Sequence, residues 1–444
     1  MPMNLLPLYS PRKRILLKLF LTAVLLLLLA GAAPVPFIWE STTLWYKTGL
    51  DKTLLQAGKV FGIFAAILLA LQILLASRQP LLDRLFGLDR VYTLHQINAY
   101  MIITCGLLHF GMVILPEGWS NLPIGWKFWP ELIGAGVLAS LCGSALIATF
   151  RPRILPYHLW RALHRPLGYL VALALPVHIL FVSGTLDHTV PRYALFILAS
   201  AVTLCIIIRK TQIILLKKRY WHLNLLTAET EEIVRLEVTP PSSFAYAPGQ
   251  FAVIQLHGDS ISSEPHPFTI ASAPASGDCL QFFIKKCGDW TSELSPEAAE
   301  HISVEGPYGL FSYKARQKID RLILIAGGIG ITPILSMLRQ IAAEPIQPRV
   351  TLLWSLRYRH QLFLQDELAL LKREIASLDI TIVYTGEKDG DRLTRERLHD
   401  LLPGLNGSEH AYICGPPPMM NSVKRDLLLL GVARRHIFFE EFAL

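Results

Sequence analysis

Residues 91–115 read VYTLHQINAYMIITCGLLHFGMVIL, and residues 159–183 read LWRALHRPLGYLVALALPVHILFVS. Both runs are apolar and long enough to cross ~30 Å of hydrocarbon, which takes ~20 helical residues. Each carries two histidines fourteen positions apart, His95 and His109 in the first, His164 and His178 in the second. Fourteen steps of ~100° bring a helical side chain back to within ~40° of its start after a rise of ~21 Å. Each helix therefore shows two imidazoles on one face, one toward either side of a membrane. A single intramembrane histidine often does no more than hydrogen-bond a neighbouring helix, but two matched pairs go beyond that role. Imidazoles in facing pairs suit a large planar metal cofactor, whereas a zinc site draws its ligands to one point. Two b-type haems are expected, one between His95 and His164 and one between His109 and His178. His158 lies too near the segment boundary to join the pattern and reads as interfacial. Histidines that only cemented helices would leave the protein colourless.

Four more apolar segments surround these two: Ile15 to Ala33, Leu54 to Ala76, Pro130 to Phe150 and a short one, Tyr193 to Ile208. Their abundance explains why 444 residues are 52% hydrophobic and only 17% charged, with a mean hydropathy of +0.40. Basic residues gather at alternate ends, at Arg12 to Lys18, Arg78 to Arg90, Arg151 and Arg153, and Arg209 to Arg219. The positive-inside rule then places both termini in the cytoplasm, with His95 and His164 near that side and His109 and His178 near the outer side. Trp39, Trp45, Trp119, Trp126, Trp129 and Trp160 fall near segment ends, as an interfacial belt requires. The same clustering disposes of nucleic acid as a partner: the net charge of +8 forms no basic stripe. Six cysteines show neither metal-type nor disulfide-type spacing. The first segment, basic and then leucine-rich with Ala30-Gly31-Ala32-Ala33 at its end, also reads as a cleavable secretory signal.

Beyond Arg219 short alternating runs separated by Pro and Gly predict an antiparallel barrel: Leu223 to Ala228, Ile233 to Val238, Phe251 to Leu256, Leu280 to Lys285 and Ile302 to Glu305. From Arg321 strands and helices alternate, which predicts a parallel nucleotide-binding sheet. Four segments in this half carry chemistry. His266-Pro267-Phe268-Thr269 offers a hydroxyl, backbone amides and an aromatic ring, a set that suits a flavin with Thr269 beside its reactive nitrogen. Lys285, Gly288, Trp290 and Thr291 supply a cation, exposed amides and a hydroxyl for a pyrophosphate. Gly327-Gly328-Ile329-Gly330-Ile331-Thr332-Pro333 lies between a strand and a helix, where amides at a helix start hold a dinucleotide phosphate. Cys414-Gly415-Pro416, at another strand end, would wall a nicotinamide pocket.

In this order the motifs resemble the ferric reductase and NADPH oxidase superfamily, over nearly the whole chain from Ile15 to Phe442. The resemblance implies a membrane all-α six-helix di-haem bundle (residues 1–215), an antiparallel β-barrel FAD domain (216–315) and an α/β NAD(P) domain (316–444), the last two forming a ferredoxin-reductase-like module. It implies that His95, His109, His164 and His178 hold the haems and that His266 to Thr269 bind FAD. Gly288 to Thr291 is more similar to the oxidases than to the soluble reductases, and Gly306 to Gly309 matches the turn closing the flavin domain. Members often end with an aromatic residue over the flavin; here Phe442 takes that place, followed by Ala443 and Leu444. No calcium-binding loop precedes the first helix, so calcium switching is not expected, and the compact chain fits a bacterial inner-membrane member with its FAD/NAD(P) module in the cytoplasm.

Ser355, Arg357 and Arg359 follow the second nucleotide-domain strand, where a hydroxyl and cations would meet a 2′-phosphate. NADPH is therefore the expected donor, while Asp366 and Glu367 keep NADH open. Hydride would pass to FAD and electrons singly through the haems to an outer acceptor. That acceptor is dioxygen giving superoxide, a ferric or cupric chelate, or a periplasmic partner protein or quinone, with the oxidase-like Gly288 to Thr291 favouring the first.

Overall fold

In the computed structural model, residues 10–116, 118, 125–154, 157–217, 221–241, 244–258, 261–295, 301–316, 319–387 and 391–440 are described. Two units emerge, one over Ile15–Thr211 and one built on Gln212–Leu444.

The first unit is helical. Among the described residues six helices are long and apolar enough to span a membrane: α1 (Pro11–Ala32), α2 (Gly49–Ala76), α3 (Leu88–Ile114), α4 (Trp129–Ile154), α5 (Tyr157–Val182) and α6 (Thr189–Lys217). They bury little apolar surface among themselves, since side chains such as Leu27, Leu173 and Ile197 point outward. That is stable only where lipid replaces water, because a helix satisfies its own backbone there. A small cluster of Leu68, Leu69, Ile102, Val137 and Val171 ties α2, α3, α4 and α5 together. The sixth span is longer than its apolar run, at 29 residues. Backbone hydrogen bonds carry it past Arg209, whose Nε donates to the Ser77 carbonyl at 2.8 Å, and Lys210, whose ammonium lies 4.4 Å over the Tyr169 ring. Long basic side chains can bury their stems this way at a membrane edge.

The second unit begins with β1 (His222–Ala228), β2 (Ile233–Thr239), β3 (Phe251–His257), β4 (Pro265–Thr269), β5 (Leu280–Lys285) and β6 (His301–Tyr308). They form two antiparallel sheets of three strands, ordered β1-β2-β5 and β4-β3-β6. Inward residues of both, among them Leu236, Val238, Ile254, Leu256, Phe282 and Ile302, share one core. Alternation in the sequence marks five of these strands but not β4, whose Pro265 and Pro267 lack amide donors. The strand forms because it lies at a sheet edge, pairing only with β3.

A parallel sheet follows, built from β7 (Arg321–Gly327), α7 (Ile331–Ala342), β8 (Arg349–Leu356), α8 (Gln365–Glu374), β9 (Leu378–Tyr384), α9 (Arg395–Leu401), β10 (His410–Cys414), α10 (Pro417–Leu429) and β11 (Ile437–Glu440). Its order is β11-β10-β7-β8-β9. The chain steps one way from β7 and the other way to β10, so the switch point lies between these two strands. Ligands of open α/β sheets bind at that position, and both the glycine-rich turn and the Cys414 turn begin there. β11 was not legible in the sequence, being four residues long.

Candidate functional site

His95 on α3 faces His164 on α5 with ring centroids 6.4 Å apart and planes at 76°, and His109 faces His178 at 6.4 Å and 79°. A metal-bound imidazole nitrogen lies ~2.1 Å from the metal and ~1.1 Å from its own ring centre, so two ligands on opposite sides of one ion hold their centroids ~6.4 Å apart. Both pairs stand at that span, and the four side chains fit two bis-histidine haems. Among the described residues no group of three or more His, Cys, Asp or Glu is placed to hold a metal ion.

Each ring is held by a neighbour on another helix. His109 Nδ1 meets the Gly58 carbonyl and His178 Nδ1 the Pro130 carbonyl, both at 2.8 Å. His164 Nδ1 lies 2.8 Å from Ser144 Oγ, and its ring stacks on Trp160 at 4.8 Å. Using Nδ1 in this way leaves Nε2 free to face a metal. His95 is arranged differently. Its Nε2 lies 3.1 Å from the Gln72 amide nitrogen, which also donates to the His95 carbonyl at 3.0 Å, and Asn98 donates to Gln72 Oε1 at 2.7 Å. Its Nδ1 is buried without a hydrogen-bond partner. An orphaned buried nitrogen is costly unless something binds it, and a metal bond at this ring, through Nδ1 or after a half-turn of the imidazole, would relieve the cost.

The residues 40–59 add a polar cluster near the His109 end of α2. Lys52 and Gln56 both meet Glu40, at 2.9 and 3.0 Å, and Lys59 donates to Ser41 Oγ. Sequence reasoning missed this cluster, along with Gln72 and Ser144, because isolated polar residues in apolar runs carry no periodic signal.

In the second unit the register places Thr269 opposite Phe251, and Phe251 opposite Tyr308. Thr269 is buried, while His266, Phe268 and Trp290 form a row of rings, with His266 stacked on Trp290 at 4.2 Å. Trp290 is fixed by its Nε1, which donates to the Ser262 carbonyl at 2.7 Å. Two groups expected at a pyrophosphate have local partners. Thr291 Oγ1 accepts from the amides of Cys287 and Gly288 at 2.9 and 3.0 Å, closing its own turn. Lys285 pairs with Glu232 at 3.1 Å, and hydrogen bonding from the lysine lowers that carboxyl's pKa. Gly288 has open space where a side chain would be.

The two nucleotide turns meet backbone to backbone. A Cβ on Gly330 would stand 2.3 Å from the Cys414 carbonyl oxygen, and one on Gly415 would stand 2.9 Å from the Gly327 Cα. Gly328 differs from these, with φ +55° and nothing within 4 Å, so its bare backbone faces free space. Its carbonyl accepts from Trp354 Nε1 at 3.0 Å, and Thr332 Oγ1 donates to the Ile329 carbonyl at 3.1 Å, which stiffens the turn. Pro333 sits buried in the first turn of α7. Cys414 is fully buried, and burial together with the Glu440 carboxylate pushes its thiol well above the usual range. Pro416 precedes α10 and packs against Gly327. The nucleotide sheet is joined to the flavin sheets by Arg339, which donates to the Ala271 carbonyl at 2.9 Å and pairs with Glu367 at 2.5 Å.

Ser355 lies near the end of β8. Arg357 stands 5.3 Å over the Tyr358 ring, and Arg359 pairs with Glu387 at 2.9 Å while lying over Tyr384. Arg359, Tyr384, Glu387, Asp391 and Arg397 line a cavity of about 330 Å³ beyond the ends of β8 and β9. Glu387 was not read from the sequence as a partner of Arg359. Trp119, Phe442 and the side chain of His158 lie outside the described residues.

Three family models cover these regions: a ferric reductase like transmembrane component over residues 61–175, an FAD-binding domain over 217–312 and an oxidoreductase NAD-binding domain over 324–425. The chain has the architecture of the ferric reductase and NADPH oxidase superfamily. It is a multi-pass membrane oxidoreductase with domains for FAD and for NAD(P). The transmembrane match includes His95, His109 and His164 and stops short of His178. The chain is 29% identical to the reductase component of propane 2-monooxygenase from Gordonia sp. (strain TY-5), over 48% of its own length. It spans 64% of that relative. Among solved structures, a ferredoxin NADP+ reductase from Neisseria gonorrhoeae with bound FAD and NADP is 21% identical, covering 50% of this chain and 97% of that one with a TM-score of 0.44. A flavohemoglobin from Malassezia yamatoensis with bound FAD and heme is 17% identical, covering 89% and 99%, with a TM-score of 0.47.

Proposed function

We propose that the protein takes NADPH at the cytoplasmic face of a bacterial inner membrane and reduces an acceptor at the outer face, with dioxygen as the acceptor and superoxide as the product. The observation that carries this reading is the equal 6.4 Å span of two histidine pairs on spanning helices, in a chain that also has flavin and dinucleotide domains. When bound, FAD turns a hydride into single electrons, and two b-type haems relay them through the bilayer.

The chain's own residues do the rest. His95 and His164 would hold the cytoplasmic haem and His109 and His178 the outer one, and with two histidines on each iron the acceptor would be reduced without binding it. Thr269 orients the flavin, with His266, Pro267 and Phe268 along its edge, and Lys285, Gly288, Trp290 and Thr291 shape its phosphate side. Gly327, Gly328, Gly330, Thr332 and Pro333 seat the nucleotide phosphates on the start of α7. Cys414, Gly415 and Pro416 wall the nicotinamide side, and a neutral Cys414 thiol there keeps water out without exchanging a proton. Ser355, Arg357 and Arg359 read the 2′-phosphate, Phe442 covers the flavin, and residues 1–215, 216–315 and 316–444 are the three functional domains. The oxidase-like Gly288 to Thr291 segment favours dioxygen over a ferric or cupric chelate, a quinone or a periplasmic protein.

The test is anaerobic addition of NADPH and FAD to the purified protein with haem absorbance recorded, followed by air. Haem that reduces, then reoxidises at once with dismutase-sensitive superoxide in proportion to NADPH, supports the reading. Haem that stays reduced in air, or reoxidises without superoxide, overturns dioxygen as acceptor. A colourless preparation overturns the haem assignment.

A further inference from the structure

In an α-helix every Cα–Cβ bond tilts toward the amino terminus, so the side chain at position i+4 covers the carbonyl of residue i. A slender amide can slip past an occupied i+4 position, as Asn98 does in donating to the Leu68 carbonyl at 2.9 Å beside Gln72, but a ring that lies against the helix needs position i+4 nearly bare. The carbonyls that meet His109 and His178 belong to Gly58 on α2 and Pro130 on α4. Four residues after each stands a glycine, Gly62 and Gly134. A Cβ on Gly62 would lie 2.9 Å from His109 Nδ1 and 3.1 Å from its Cε1. A Cβ on Gly134 would lie 2.4 Å from His178 Cε1 and 2.6 Å from its Nδ1. Neither ring could keep its place, and the second clash is the more severe.

The two helices repeat one design. Ten residues beyond each glycine is the side chain that meets the other histidine pair, Gln72 on α2 beside His95 and Ser144 on α4 beside His164. At those positions a side chain reaches out to the ring, and no gap in the helix surface is needed. Of the other glycines on the histidine-contacting and histidine-bearing helices, Gly136 and Gly143 on α4, Gly111 on α3 and Gly168 on α5 have nothing within 4 Å, while Gly58 on α2 and Gly106 on α3 lie close to Met112 and Leu138 rather than to an imidazole ring atom. Bareness by itself therefore does not distinguish Gly62 and Gly134; the imidazole filling the bare space does.

We propose that Gly62 and Gly134 are positioning residues for the His109–His178 pair, each a notch through which an imidazole seats Nδ1 on a backbone carbonyl and turns Nε2 toward its partner. The proposal rests on reading the pair as haem ligands and concerns that pair alone.

The test compares full-length wild type, Gly62→Ala, Gly134→Ala and Gly136→Ala in detergent. Haem per polypeptide is measured as the pyridine haemochrome, ligand geometry by EPR of the low-spin ferric state, and integrity of the other unit by NADPH-driven flavin reduction. Wild type and Gly136→Ala should hold two haems. Gly134→Ala should hold one, and Gly62→Ala two with one EPR signal displaced, with flavin reduction the same in all four. Wild type lacking haem overturns the functional reading and the notch with it. Wild type with two haems beside a Gly134→Ala protein with two haems and an unshifted spectrum overturns the notch alone, as does equal haem loss in Gly136→Ala. Should Gly134→Ala not accumulate, Gly62→Ala decides the matter, and an unshifted spectrum there overturns the notch.

Discussion

Replacing Ser144 by alanine separates stability from cofactor affinity. The hydroxyl lies 2.8 Å from His164 Nδ1 and bridges α4 to α5. Between membrane helices such a bond contributes on average ~0.6 kcal/mol, because the separated helices find other partners. The same bond is worth more to a metal ligand, since losing a partner that orients an imidazole lowers metal affinity ~10–100-fold, which is ~1.4–2.7 kcal/mol. Trp160 still stacks on the ring at 4.8 Å, so its plane is kept while its tautomer and basicity are not. Ser144→Ala should therefore barely move the thermal midpoint yet release one of two haems ~10–100 times faster to an excess of apomyoglobin. The potential of that haem should rise, because a less electron-rich imidazole favours the ferrous state. Ser144→Thr keeps the hydroxyl and should restore both properties. Unchanged release in Ser144→Ala, or a threonine variant as impaired as the alanine one, would refute the reasoning.

Three further outcomes are expected. His109→Leu should lower the haem content from two to one while NADPH still reduces the flavin; loss of flavin binding would contradict the separation of the two units. The double change Arg357→Ala and Arg359→Ala should weaken NADPH about tenfold more than NADH in steady-state kinetics, the usual scale of a charge-assisted phosphate contact, and equal weakening would show that neither arginine reads the 2′-phosphate. In the native protein iodoacetamide should modify exposed Cys287 and spare Cys414. The raised pKa of Cys414 keeps it a thiol at pH 8, where an ordinary cysteine with a pKa of ~8.5 is already partly thiolate. Peptide mass spectrometry showing Cys414 alkylated before unfolding would mean that the turn after β10 opens to solvent in the native protein.

What the sequence determined by itself was whatever repeats or stays local along the chain. Fourteen-residue histidine spacing on two apolar runs follows from the helical period, and five of the six flavin-sheet strands follow from alternation. The glycine-rich turn and the Cys414 turn were legible because a strand, a turn and a helix are consecutive. β4 was hidden, since two prolines argue against a strand until an edge position is known, and the sixth span was shortened, since hydropathy ends at Arg209 while helical hydrogen bonding does not.

Only the tertiary structure decided which atom each imidazole touches. His109 and the carbonyl it meets are 51 residues apart, and Arg359 and Glu387 are 28 apart. Such contacts depend on how helices and strands are packed, and nothing in local spacing encodes them. In the sequence Gly62 and Gly136 are alike, each a glycine in an apolar helix. They differ in what lies opposite, an imidazole ring against the first and open space beside the second.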